Sequence, residues 1–282
     1  MTAQVLKIDH VTIAGPALEP LRAAFSNVGL ATEYGGPHSN GVTHMALLGF
    51  DDGSYIELIS TLKAGQTAPW WNRHIQYDGG PCAWAVRVAD IAQEGRRIAG
   101  LGVPIQGPKY FHRERPDGIR VEWDLVYLGD QQAGAKLPFL IADRTPRDYR
   151  VRPTPAVAGS ELTGIARVVL GVQALEPALD LFRRLYDWPP PEIEAQGEFG
   201  ARLANFEGQP VILAEPLRAG NWLDDRLARF DECPCAFLIG SRNLDESGQR
   251  PGLERRETWF ERRVAWFNEE KLRSIRLGII GS

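Results

Sequence analysis

Five histidines, at positions 10, 38, 44, 74 and 112, all fall in the first part of this 282-residue chain. Imidazole changes charge near neutral pH and ligates metals as a neutral ring, so acid–base or metal chemistry belongs before residue 145. Glu57 interrupts an apolar run, Tyr55-Ile56-Glu57-Leu58-Ile59. A carboxylate inside such a strand is costly unless paired or metal-bound; otherwise it hydrogen-bonds a histidine or faces water on an edge strand. His44 to Phe50 and Tyr55 to Ile59 flank Asp51-Asp52-Gly53-Ser54 and read as a hairpin turning at Asp52-Gly53. That register places His44 on the face of Glu57, roughly 13 Å along the strand at about 3.3 Å per residue. Ligand, substrate contact and structural histidine all stay open for His44. His112-Arg113-Glu114-Arg115-Pro116-Asp117-Gly118 combines turn chemistry with Arg113, Arg115 and nearby Arg120. Together they form a clamp for a carboxylate or enolate oxygen, or a solvated charged edge. His38 in a Gly-Gly-Pro-His loop and His112 in a loop of mixed charge read as exposed, and His74 has no assigned role.

The elements that position these residues come twice. Ala17-Leu18-Glu19-Pro20 with Phe25 returns as Ala174-Leu175-Glu176-Pro177 with Phe182, and Pro81-Cys82-Ala83-Trp84 returns as Pro234-Cys235-Ala236-Phe237. In each copy a β-branched strand (Ile8 to Ala14; Ile165 to Leu170) precedes a helix with apolar residues at helical spacing. The hairpin, with a weaker strand near Leu30 to Tyr34, completes a β-α-β-β-β unit. Strand Cys82 to Val88, a helix capped by Asp90 with Gln93 three residues on, and strands Val121 to Tyr127 and Leu137 to Ile141 make a second. After the repeat, Asn243 to Gly252 is too rich in Gly, Pro and Ser for a full helix. The expected fold is α+β: four β-α-β-β-β modules as two tandem paired-module domains, with curved mixed sheets forming a cup. Residues 1–147 hold modules 8–62 and 80–145, residues 148–160 form a Pro/Gly linker, and residues 161–282 are a degenerate copy without histidine.

A net charge of -4 with 24% charged residues and no basic run argues against a nucleic-acid partner. No stretch reaches the roughly 18 apolar residues of a membrane span, and residues 1–10 lack a basic start leading into an apolar stretch. The chain is expected to be cytoplasmic. Three cysteines are too few for a disulfide scaffold and read as buried reduced thiols.

Paired units opening with Asp9-His10-Val11 and closing with Tyr55-Ile56-Glu57-Leu58-Ile59 resemble the vicinal oxygen chelate superfamily of glyoxalase I, extradiol dioxygenases and bleomycin-resistance proteins. Thr43-His44, Arg115-Pro116-Asp117-Gly118 and Leu137-Pro138-Phe139 look more narrowly like its glyoxalase-like domains. The resemblance implies a divalent metal (Zn, Ni, Mn or Fe(II)) in the cup, with His10 and Glu57 at two ligand positions. The other two positions carry Trp84 and Phe139, neither of which binds metal, so His44 is the candidate third ligand of a two-histidine, one-carboxylate set. A metal-dependent lyase or isomerase acting on a small oxygenated, cyclic or aromatic molecule follows. In it His44 and Glu57 move protons, Arg115 clamps an oxygen, and Trp84, Trp123 and Phe139 shape the pocket. The alternative is a metal-free protein that sequesters an aromatic toxin or antibiotic. An ordinary dioxygenase arrangement is excluded, because Arg167 and Ile212 stand where His10 and Glu57 repeat. Monomer and homodimer are equally compatible with four modules in one chain.

Overall fold

Each copy builds one eight-stranded mixed sheet, and the two sheets share a mirrored strand order around their first and fifth strands. The computed structural model describes residues 4–281. The first copy runs β1 (Ile8–Ala14), α1 (Leu18–Asn27), β2 (Glu33–Pro37), β3 (Thr43–Gly49) and β4 (Tyr55–Thr61), then α2 (Asn72–Gln76). It continues through β5 (Gly80–Arg87), α3 (Ile91–Gly100), β6 (Ile105–Glu114), β7 (Arg120–Leu128), β8 (Phe139–Asp143) and α4 (Arg147–Arg150). The second comprises β9 (Leu162–Gly171), α5 (Leu175–Tyr186), β10 (Glu192–Gln196), β11 (Ala201–Asn205), β12 (Val211–Pro216) and α6 (Trp222–Phe230). It ends with β13 (Pro234–Ser241), α7 (Leu244–Ser247), β14 (Leu253–Trp259), β15 (Arg262–Phe267) and β16 (Leu277–Gly281). Order β2-β3-β4-β1-β5-β8-β7-β6 recurs as β10-β11-β12-β9-β13-β16-β15-β14, so four β-α-β-β-β units pair as expected. α7 is a single turn of four residues where α3 has ten, in line with its Gly/Pro-rich sequence. Asp90 accepts a hydrogen bond from the Gln93 amide and starts α3.

Every residue of β1 is buried because both faces of the sheet are covered. Val11 and Ile13 join a helix-side core that runs without interruption from Phe25 under α1 to Phe182 under α5. His10 takes the opposite, concave face. Between Ile8 and His10 the ladder with β5 advances two residues on β1 for one on its partner, which makes Asp9 a β-bulge. A bulge lets two consecutive side chains lean to one side, and Asp9 thereby meets His10 with Nδ1 and Oδ1 2.7 Å apart. The repeat keeps the bulge at Ala166, beside Arg167.

Three strands are not legible in the sequence. β6, β10 and β14 are edge strands with mostly exposed or half-exposed side chains, so none carries a clear buried-face pattern. The segment after β8, read as a linker, packs on the first sheet: the Gly49 amide donates to Thr154 Oγ1 at 2.9 Å, and Thr154 N returns a bond to Gly49 O at 2.9 Å.

The two concave faces differ. In the second sheet Phe199, Trp259 and Trp266 pack together at centroid separations of 4.8 to 5.4 Å and fill the cup. In the first the cup is hollow.

Candidate functional site

The hollow is a cavity of about 240 Å³ inside the curl of the first sheet. Its wall is aromatic: Trp123 from β7, Phe139 from β8, Tyr55 from β4, and Trp70 and Trp71 from the segment before α2. Against this wall stand His10, His38, Glu57 and Arg113.

Glu57 is 6% exposed and accepts no hydrogen bond from the described residues; its neighbour is His38, with Nε2 3.6 Å from Oε1. The His38 ring is held by its other nitrogen, Nδ1, 2.9 Å from Thr43 Oγ1. Burial pushes the His38 pKa down, and the Glu57 charge opposes that shift. His10 stacks on Tyr55 with centroids 4.6 Å apart and meets Phe139 edge-on at 5.3 Å. Its Nδ1 is committed to Asp9, leaving Nε2 as the ring nitrogen available to a ligand.

Asp9 is fully buried, yet its pKa falls: burial alone would raise it, and Arg150, the His10 hydrogen bond and Arg147 more than offset that. Arg150 Nη2 reaches Asp9 Oδ2 at 3.1 Å and Asp143 Oδ1 at 2.7 Å, and Arg87 Nε reaches Asp9 Oδ2 at 3.3 Å. A carboxylate held ionised against Nδ1 fixes both the tautomer and the tilt of an imidazole.

His10, Glu57, Trp123 and Phe139 therefore come together as the sequence reading had them, whereas three candidates lie elsewhere. His44 is on the other face of β3, because Leu47, not Leu48, pairs with Glu57. The turn is one residue longer than a two-residue Asp52-Gly53 turn, with Phe50 N bonded to Ser54 O, and a one-residue slip reverses every side chain. His44 consequently meets Tyr34 edge-on at 6.0 Å. Trp84 pairs with Val11 and is buried in the helix-side core, its Nε1 donating to Ala135 O at 3.1 Å. Ala83 and Ala85 carry the concave side of β5. Arg115 lies past the end of β6, in the turn before β7, where it binds Asp117 Oδ2 at 2.7 Å and Tyr149 O at 3.1 Å. In the other direction, His38, Arg113 and His112 line the cavity although two of them read as exposed loop residues. The sign of Arg113 was present in the arginine cluster; nothing local marked His38.

The expected divalent ion finds no ligand set here. Among the described residues no three His, Cys, Asp or Glu side chains are arranged to hold a metal. His44 faces away, and alanine and phenylalanine supply the concave side of β5 and β8. All three cysteines are free and buried, and burial pushes the Cys235 thiol up to about 12, so they act as apolar packing. No helix among the described residues is long and apolar enough to cross a membrane.

A duplicated β-α-β-β-β scaffold curled around a His/Glu-bearing cup defines the vicinal oxygen chelate fold. Residues 8–186 match the family model of the glyoxalase-like domain, and the chain belongs to that family. The match runs past the first sheet through β9 and α5. No curated protein matches the sequence. Among solved structures, a hypothetical protein from Staphylococcus aureus superposes with a TM-score of 0.64 at 14% identity, covering 99% of this chain and 100% of that one. A variant of 4-hydroxymandelate synthase from Streptomyces coelicolor gives 0.63 at 12% identity, covering 100% and 93%. At these identities the likeness is one of fold.

Proposed function

We propose that the first cup binds a small cyclic or aromatic oxygenated molecule and that Glu57 transfers a proton on it, in a reaction of the lyase or isomerase class. One observation carries this reading: an almost fully buried carboxylate, without a hydrogen-bond donor of its own, faces an aromatic cavity beside a histidine. Such a group costs stability and is retained where it does chemistry. A carboxylate facing the ligand with both oxygens free to accept a proton is placed as a general base must be. His38, its ring held by Thr43, would orient Glu57 and take up the proton. His10, with its Nδ1–H donated to Asp9, would present Nε2 as an acceptor to a hydroxyl of the ligand and so orient it. The aromatic wall excludes water and stacks on the ring of the ligand. The metal-dependent form of this reaction lacks a ligand set, so the proton steps rest on Glu57 and His38.

Solvent deuterium exchange, followed by NMR over a panel of cyclic hydroxy- and oxo-acids, tests the reading. Exchange into one compound that falls about 100-fold or more in Glu57→Gln and is unaffected by a chelator supports it. Exchange abolished by a chelator would restore the metal mechanism. Binding across the panel with no exchange would make the cup a sequestering site, the reading its aromatic wall also favours.

A further inference from the structure

Resting on that reading of the cavity, we infer that its ligand carries a carboxylate and that Arg113 receives it. Arg113 reaches the cup from β6 and is 3% exposed. Its hydrogen bonds go to main-chain carbonyls alone, Nη1 to Gly35 O at 2.8 Å and Nη2 to Arg150 O at 2.9 Å. No carboxylate of the described residues lies within ion-pairing distance of it. A buried guanidinium with only neutral partners is an uncompensated charge.

The surroundings deepen the imbalance. Arg113 and Arg150 line the cavity with Glu57, while Asp9 and Asp143, which pair with Arg150, are shared with the partly buried Arg87 and Arg147. Glu57 is the one carboxylate among the residues that line the cavity beside the Arg113 and Arg150 guanidiniums, and the Nε and Nη1 of Arg150 have no partner among the described residues. Burial draws the Arg113 pKa down, while Tyr55 and Glu57 counter it. An incoming carboxylate closes this charge account and satisfies guanidinium donors with charge-assisted bonds. Arg113 also bridges β6 to Gly35 on β2, drawing the edges of the curled sheet together. That clasp explains two carbonyl bonds; it does not explain a cation set against the cavity wall.

The test titrates the full-length protein with 2-naphthoate and with 2-naphthamide, alike in shape and different in charge, and reads tryptophan fluorescence. The wild type is expected to bind the acid about ten-fold or more tighter than the amide. Arg113→Gln should bring the two within about two-fold, Arg113→Lys should fall between, and Arg115→Gln should keep the full preference. Equal or tighter binding of the amide by the wild type overturns the inference, as does an acid preference that survives in folded Arg113→Gln. If that variant does not fold, the wild-type ligand pair and Arg113→Lys decide. Acid preference without isotope exchange refutes proton transfer and leaves the anion site standing; exchange without acid preference refutes the anion site alone.

Discussion

Asp9 gathers two arginines, a third at 3.3 Å and an imidazole on one buried carboxylate. Removing its charge strands Arg150 with Asp143 alone, and breaking a buried ion pair on one side costs about 3–5 kcal/mol. Asp9→Asn should lose about that much in denaturant melts, and a loss under about 1 kcal/mol would show that Asp143 suffices. His74 offers a pH handle. It stacks on Phe230 with centroids 4.4 Å apart, and burial, then Arg226 and Arg73, push its pKa down to about 3. The folded state thus holds the neutral ring while an unfolded histidine takes a proton near pH 6.5. Between about pH 6.5 and 3 the unfolded chain binds more protons, so stability falls as pH drops through that window. His74→Leu should flatten the slope there by up to about 1.4 kcal/mol per pH unit; an unchanged slope would rule His74 out. At this scale the sequence was legible where a residue violated its own strand: Glu57 stood out as a carboxylate among aliphatics. His38 did not, because its Gly-Gly-Pro context signals a loop while its place on the cavity wall comes from the curl of a sheet.

The β3–β4 hairpin shows how far an element follows from its sequence. Its strands and turn were readable from the Asp-Asp-Gly composition, but the loop length was not, and one residue of loop decided which of Thr43 and His44 faces Glu57. The edge strands β6, β10 and β14 were invisible for a related reason: alternation marks a strand only where one face is buried. Gly49, at the end of β3, is where this hairpin meets the segment after α4. A Cβ there would overlap the Arg152 carbonyl and the Val151 side chain. Gly49→Ala should therefore unseat residues 151–154 at a cost of about 1–3 kcal/mol, visible as a lower melting temperature and new proteolytic cuts in that segment. Since Arg150 O anchors Arg113, ligand binding should weaken in the same variant.

As a whole, the molecule is stitched across its two sheets. Arg226 on α6 donates to Gly79 O and Pro81 O of the first half and to Pro234 O of the second. The turn between β3 and β4 reaches β9 through Ser54 Oγ, which accepts from the Ile165 amide at 3.0 Å. Approach there is so close that a Cβ on Gly164, at φ +132°, would collide with Asp52. With the helix-side core shared as well, both halves should unfold in one calorimetric transition. Arg226→Ala, leaving three buried carbonyls without their donor, should lower its midpoint by the equivalent of about 2–4 kcal/mol. Two separate transitions in the wild type would contradict this coupling. The duplication itself was plain in the sequence, yet what fills each cup was not, since the aromatic residues that close the second and line the first are alike in type. That difference gives the chain an internal optical standard. Trp70, Trp71 and Trp123 border the open cup, whereas Trp259 and Trp266 are sealed in the closed one. Emission from the sealed pair supplies a constant baseline under every titration, so ligand occupancy is reported by the fraction of signal that moves rather than by absolute intensity.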